Sequence, residues 1–114
     1  MCIRDSSQAI RAGNLIFLSG QVPLDPKTMS IVAGGFAAQI KQVFENLKAV
    51  AEAANSSLAN AVKLTIYITD FANFPTVNEM MKNYFQEPFP ARATIQVSAL
   101  PKNAEVEIDA ILTG

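Results

Sequence analysis

The sequence predicts an α+β domain in which two helices pack on one face of a mixed β-sheet. Two segments place apolar residues at three- and four-residue steps, and the segments around them alternate apolar with polar residues. The chain has 114 residues, which fits a single domain. Because 50% of the residues are apolar and 17% are charged, the composition indicates a globular protein with a substantial core.

The chain begins with a predicted β-hairpin. The turn signal Gly13-Asn14 separates a predicted strand at residues 8–11 from an apolar run at residues 15–18. Residues 20–35 are rich in glycine and proline, which favours a long loop.

A long amphipathic helix is predicted from Phe36 to Ala54. Its apolar stripe consists of Ile40, Val43, Phe44, Leu47, Val50, Ala51 and Ala54. Residues 62–69 then alternate with the two-residue period of a half-buried strand. Because a helix joins them, the strands on either side of it are expected to run parallel.

A second helix and two closing strands complete the prediction. Asn73 is the expected cap of the helix and Pro75 falls in its first turn, where a missing N–H costs little. Alternation predicts strands at residues 92–98 and 105–112.

Two helices cover one face of such a sheet, so its second face is either exposed to water or an oligomer interface. We expect that face to carry Arg92, Thr94, Gln96 and Ser98 from one strand and Glu105, Glu107 and Asp109 from the other.

The charge and the residue inventory exclude several kinds of function. The formal net charge is −1 and no stretch concentrates Lys or Arg, so neither nucleic acid nor an anionic membrane is an expected partner. No apolar run approaches a membrane span of about 20 residues and no signal peptide is evident, so we expect a cytoplasmic protein. Cys2 is the single cysteine and histidine is absent, which removes histidine-based triads and the usual zinc sites.

Arg92 is the first candidate for a functional residue. It follows Pro90-Ala91 at the start of a predicted strand, so the restricted backbone of the proline and the sheet together position its side chain. A guanidinium matches a carboxylate in two parallel hydrogen bonds. The alternative is an ordinary surface or interface ion pair, which is the more frequent role of such a residue.

The acidic closing strand is the second candidate. Glu105, Glu107 and Asp109 share one predicted face, and a partly shielded carboxylate there can exchange protons with water and a substrate. The alternative is a solvated edge of charges.

Two further candidates are Gly20 and Asn78. Gly20, next to Ser19, allows close approach of a ligand to the backbone or merely forms a turn, and Asn78 either lines a pocket or faces solvent.

Short motifs in a fixed order resemble the RidA/YjgF family, the reactive-intermediate deaminases. The resemblance runs from about Ser7 to the end of the chain. The motifs are Ser7-Gln8-Ala9, Gly13-Asn14-Leu15-Ile16-Phe17, Ser19-Gly20-Gln21-Val22-Pro23, Asp25-Pro26-Lys27-Thr28, Phe89-Pro90-Ala91-Arg92, Leu100-Pro101 and Glu105-Val106-Glu107-Ile108-Asp109-Ala110.

This resemblance implies a chorismate-mutase-like fold and a homotrimer with sites between subunits. It also implies cofactor-independent hydrolysis of 2-aminoacrylate and related enamines or imines to 2-keto acids and ammonia. Arg92 would then anchor the substrate carboxylate and Glu107 would activate water, with Ser19 and Asn78 lining the site. The backbone around Gly20 and Thr94 would hold the reacting end of the substrate.

The sequence departs from the family pattern at two places. Arg4-Asp5-Ser6 stands where the family has Gly-Pro-Tyr, and Thr94 stands where many members have cysteine. Residues 1–6 fit neither the family start nor a strand or helix pattern, so we predict a foreign or altered leader before a domain at residues 7–114. Two other functions stay open: a non-enzymatic trimer that binds ligands or unfolded chains, and an endoribonuclease that inhibits translation.

Overall fold

A computed structural model describes Cys2–Ile3 and Ser6–Gly114, with side chains from Gln8 onward. Its strands and helices are, in chain order, β1 (Cys2–Ile3), β2 (Ser6–Ser7), β3 (Ala9–Ala12), β4 (Leu15–Gln21), α1 (Gly35–Ala53), β5 (Ala61–Ile68), α2 (Phe74–Tyr84), β6 (Ala91–Gln96) and β7 (Val106–Thr113). Short 3-10 turns occupy Leu58–Asn60, Phe71–Asn73 and Pro101–Asn103.

The predicted leader falls partly outside the described residues, which omit Met1, Arg4 and Asp5. Cys2–Ile3 and Ser6–Ser7 pair as antiparallel strands, apart from the main sheet. The expectation that residues 1–6 contain no strand is therefore wrong for Cys2, Ile3 and Ser6, whereas the foreign origin of the leader stays a prediction.

The main sheet is mixed, and its five strands lie in the order β3-β4-β7-β5-β6. The last strand of the chain, β7, is central and runs antiparallel to both β4 and β5. The strands on either side of α1 are therefore parallel in direction, as predicted, but β7 lies between them. The adjacent parallel pair is β5 and β6, which α2 connects.

The core lies between the sheet and the two helices. Alternate residues of the central strands face it and are fully buried, among them Leu64, Ile66 and Ile108. From α1 they meet the apolar stripe that the periodicity predicts, with Ile40, Val43, Phe44 and Leu47 all at 0% exposure. Burying each such side chain contributes about 1.5–3 kcal/mol, so this layer is a main source of the stability of the domain.

Aromatic packing joins the two helices. The Phe44 ring lies 4.9 Å from the Tyr84 ring, centroid to centroid, and 5.9 Å from the Phe85 ring.

At the other end of α2, Asn73 occupies the cap position, but its side chain makes no capping hydrogen bond. Asp70 instead accepts a 2.9 Å bond from the Ala72 N–H and starts a 3-10 turn that leads into the helix. Asn73 therefore lies at the predicted cap position, but the prediction that its side chain caps the helix is wrong.

The second sheet face is open, as predicted, but fewer of the polar residues lie on it. Arg92 and Thr94 pair in parallel register with Leu64 and Ile66, whose side chains face the helices. Side chains of directly paired residues point to the same side of a sheet, so Arg92, Thr94 and Gln96 lie on the helix side and the prediction for them is wrong.

Glu107 and Asp109 do lie on the open face, because they pair with Tyr67 and Thr65. Glu105 does not: it precedes β7, and its carboxylate accepts a 3.1 Å hydrogen bond from the side chain of Gln39 in α1. The prediction that all three acids share one face is therefore wrong for Glu105.

Gln39 fixes the start of β7 against α1. It is the buried polar side chain of the described core, at 7% exposure. Its Nε2 donates to Glu105, and its Oε1 accepts a 2.9 Å bond from the Glu105 backbone N–H. One amide thus satisfies two groups at the point where the central strand begins.

Replacing Gln39 with alanine is expected to lower the free energy of unfolding by about 1–3 kcal/mol, since the Glu105 N–H and carboxylate lose their partner. Denaturant unfolding measures the change. Lys41→Ala is the control, because lysine and glutamine have similar helix propensities and Lys41 is exposed on the same helix. Equal effects of the two substitutions would contradict this role of Gln39.

Candidate functional site

Arg92 is held by two residues of α2. Its Nη2 donates a short hydrogen bond to Asn78 Oδ1, and its guanidinium carbon lies 5.4 Å from the centroid of the Phe74 ring. Phe74 and Asn78 are four residues apart, so they share one face of the helix. The aromatic ring and the amide orient the guanidinium, while its remaining N–H donors are available to a ligand.

The ion-pair alternative for Arg92 finds no support in the described residues. The salt bridge among them joins Lys82 to Glu79 at 3.4 Å, and Arg92 has a neutral amide as its partner. An exposed, uncompensated and oriented guanidinium is suited to binding an anion from outside the chain.

A pocket of about 460 Å³ adjoins Arg92. We call it the arginine pocket, and its lining residues are Asn78, Met81, Lys82, Phe89, Pro90 and Arg92. Thr94 lies two residues further along β6, on the same side of the sheet, and its buried Oγ1 has no hydrogen-bond partner among the described residues. A buried hydroxyl without a partner is a candidate ligand contact.

Glu107 lies on the other face of the sheet, beside Gly20. The register between β4 and β7 shifts from Leu18 to Gln21, so Ser19 and Gly20 form a bulge. A Cβ at Gly20 would lie 2.9 Å from Glu107 Cδ and closer still to Oε2. A side chain at position 20 would therefore displace the Glu107 carboxylate from this position, and bulges of this kind commonly re-aim groups next to functional sites.

The pKa of the Glu107 carboxyl is raised above its usual value. Partial burial is the larger cause, and the negative charge of Asp109 is the second. Tyr67 lies directly opposite Glu107 on β5 and its hydroxyl donates a 3.2 Å hydrogen bond to Asp109 Oδ2. A carboxyl whose pKa is moved towards neutrality is a better proton acceptor and donor than an ordinary surface glutamate.

Ser19 is exposed on the open face, and Gln21 Nε2 reaches its carbonyl oxygen at 3.3 Å and its Oγ at 3.5 Å. We call the set Ser19, Gly20, Tyr67, Glu107 and Asp109 the glutamate face. Its groups supply two hydroxyls and two carboxylates, which together can hold and deprotonate a water molecule.

The six predicted site residues thus form two groups rather than one. Asn78, Arg92 and Thr94 lie on the helix side of the sheet, whereas Ser19, Gly20 and Glu107 lie on the open side. Sequence reasoning missed Phe74, although its spacing of four residues from Asn78 was a usable signal. It also missed Tyr67 and Met81, whose roles depend on strand register and helix orientation. Among the described residues, no cluster of acidic or cysteine side chains could hold a metal ion.

Comparison with known proteins identifies the class to which this fold and these groups belong. The family model described as Endoribonuclease L-PSP matches residues 2–113. A 2-iminobutanoate/2-iminopropanoate deaminase of Dermatophagoides farinae is 45% identical over 106 residues, which cover 93% of this chain and 83% of that relative.

Two solved structures have the same fold. RidA from the Antarctic bacterium Psychrobacter sp. PAMC 21119 superposes with a TM-score of 0.93 at 46% identity, covering 100% of this chain and 92% of the other. TdcF of E. coli, solved with bound serine, gives 0.88 at 35% identity, covering 99% and 91%. The chain therefore belongs to the RidA/YjgF family, and the predicted family is confirmed.

Replacing Asp109 with asparagine is expected to lower the pKa of Glu107. The substitution removes the neighbouring negative charge but keeps an oxygen that can accept the Tyr67 hydrogen bond, so burial alone continues to raise that pKa. Carboxyl ¹³C NMR titration measures the pKa directly. Glu52→Gln, which removes an exposed charge from α1, is the control, and a Glu107 pKa unchanged by Asp109→Asn would contradict the assigned cause.

Proposed function

We propose that the protein hydrolyses reactive enamines and imines, 2-aminoacrylate and related 2-imino acids, to 2-keto acids and ammonia. The observation that carries this proposal is the oriented Arg92 without a carboxylate partner, together with Glu107, whose pKa is raised, in a chain of this family. Relatives named as deaminases support it. The proposal includes the cytoplasmic location and the independence from cofactors expected from the sequence.

Arg92 is the proposed carboxylate anchor. Phe74 and Asn78 hold its guanidinium in position before the substrate arrives, so the side chain loses little conformational freedom on binding. The E. coli relative solved with serine carries a ligand with a carboxylate, which is the group that we assign to Arg92 in this chain.

Glu107 is the proposed acid-base residue. The imine nitrogen takes up a proton from solvent, and the Glu107 carboxylate accepts a proton from water as the water oxygen bonds to the imine carbon and the carbon–nitrogen double bond becomes single. The protonated Glu107 then gives its proton to the amino nitrogen, and the carbon–nitrogen bond breaks as the hydroxyl oxygen forms the carbonyl of the keto acid. Ammonia leaves, and the hydroxyl proton returns to solvent through Glu107, which balances the proton taken up at the start. Water is consumed and the glutamate returns to its starting state, so no cofactor is needed for the chemical balance.

A complete site requires two copies of the chain. β6, which carries Arg92, and β7, which carries Glu107, are separated by β5, and the two side chains point to opposite faces. Two strand spacings of about 4.8 Å and the sheet itself lie between them, which is more than a three-carbon substrate can span. We therefore propose that the arginine pocket of one copy faces the glutamate face of the next, in a homotrimer.

The first test measures pyruvate and ammonia released from 2-aminoacrylate, which a serine dehydratase generates in situ. Wild-type protein is expected to accelerate release over the enzyme-free control, Arg92→Ala is expected to abolish the acceleration, and Arg11→Ala, at an exposed arginine of β3, is the matched control. Wild-type activity retained by Arg92→Ala would remove the anchor role. An inactive wild-type protein would contradict the deaminase proposal and leave the binding and ribonuclease alternatives.

Mixing two inactive variants tests whether the site is shared. Arg92→Ala chains and Glu107→Gln chains, unfolded and refolded together in equal amounts, are expected to recover about one quarter of wild-type activity, because about one interface in four then combines an intact Arg92 with an intact Glu107. Each variant refolded alone is the control. No recovery from mixed oligomers would mean that both residues act within one chain.

A further inference from the structure

The arginine pocket is larger than the smallest proposed substrate requires. Its volume of about 460 Å³ falls in the range of roughly 300–1,000 Å³ that holds whole small-molecule ligands. 2-Aminoacrylate has three carbons, and its carboxylate alone would occupy Arg92. Most of the pocket would therefore stay filled with water if that compound were the preferred substrate.

The chemistry of the pocket wall is mainly apolar. Met81 at 5% exposure, Phe89 at 44% exposure and Pro90 form the part that Arg92 and Asn78 do not occupy. Lys82 also borders the pocket, but its ammonium group pairs with Glu79 at 3.4 Å. A wall of this kind favours an apolar group, since each Å² of apolar surface removed from water contributes about 25 cal/mol.

We propose that this pocket receives the side chain of the substrate, and that the preferred substrates are 2-imino acids with apolar side chains of four or more carbons. Phe89 is the proposed specificity-determining residue. This inference rests on the proposed function, because it places the carboxylate of the same substrate on Arg92.

The connectivity of a 2-imino acid supports this placement. Its carboxylate and its side chain are attached to one carbon, so a carboxylate bound at Arg92 brings the side chain to the adjoining Met81 and Phe89. The imine carbon must at the same time face Glu107 of the neighbouring copy, which approaches from outside the pocket. The reacting group therefore points outward, and the side chain is directed inward along the apolar wall.

The second large depression of the described surface does not offer the same chemistry. It has about 580 Å³ and is lined by residues 59–62, 84–88, Pro90 and Thr113, without lysine or arginine. Its charged residue is Glu87, which would repel a carboxylate. A 2-imino acid is expected to bind at Arg92 rather than there.

The test compares two imines that differ only in the side chain. D-amino acid oxidase, with catalase to remove peroxide, generates 2-iminopropanoate from D-alanine and the four-carbon side-chain analogue from D-leucine. The wild-type protein is expected to show a kcat/KM at least about tenfold higher for the leucine-derived imine, as an additional apolar group in a fitting pocket is worth about 10–200-fold.

Phe89→Ala is expected to lower the ratio of the two kcat/KM values about tenfold, because the leucine-derived imine loses more of its apolar contact than the alanine-derived imine does. Phe71→Ala is the matched control: Phe71 is equally exposed, at 45%, and stacks on Phe74 at 5.3 Å without lining the pocket. It is expected to affect both imines alike, because it acts through the support of Arg92. Circular dichroism and the oligomeric state are compared for all three proteins.

The outcomes separate this inference from the proposed function. Acceleration of both imines without a preference for the larger one, or a Phe89→Ala variant that loses activity equally on both, overturns the role of the pocket and leaves the deaminase proposal intact. Acceleration of neither imine overturns the proposed function and the role of the pocket with it.

Discussion

The central strand β7 is the constraint on which the rest of the structure depends. Because it is hydrogen-bonded to a strand on each side, its register fixes the faces of β4 and β5, and its alternation assigns Val106 and Ile108 to the core and Glu107 to the opposite face. A shift by one residue would bury the carboxylate of Glu107 and expose the core. The burial free energy of the apolar side chains is thus also what holds Glu107 in position.

The sequence predicted the positions of the helices and strands more completely than the sheet face on which each side chain lies. The periodicity of α1 and the alternation of β5 located both within a residue or two, because those signals are local and strongly amphipathic. The prediction of the face of Arg92 was wrong because β6 is an edge strand whose residues are exposed or half-buried on both sides, and its pairing with β5 is a tertiary contact. The candidate residues were found from motifs, whereas their division between two faces required the register.

Under the proposed function, this division makes the open face part of an interface between copies of the chain. Phe17 and Ile95, on β4 and β6, are 41% and 44% exposed there, so both sides of this face present a large apolar side chain that a second copy could cover. Placing a second copy on this face would bury apolar surface and complete the proposed site in one step. Assembly and activity would then depend on the same contacts, so a chain that failed to assemble would keep Arg92 and Glu107 but lose their proximity.

The arginine pocket and the glutamate face, on the two sides of the sheet, carry charges of opposite sign. The arginine pocket presents a cation held by a neutral amide and an aromatic ring, and the glutamate face presents two carboxylates with a tyrosine hydroxyl bonded to one of them. Apposed faces of opposite sign attract, and both signs are then partly removed from water. A 2-imino acid between them would add a carboxylate to the cationic side and an electrophilic carbon to the basic side. The proposed substrate and the proposed interface are therefore matched by charge as well as by position.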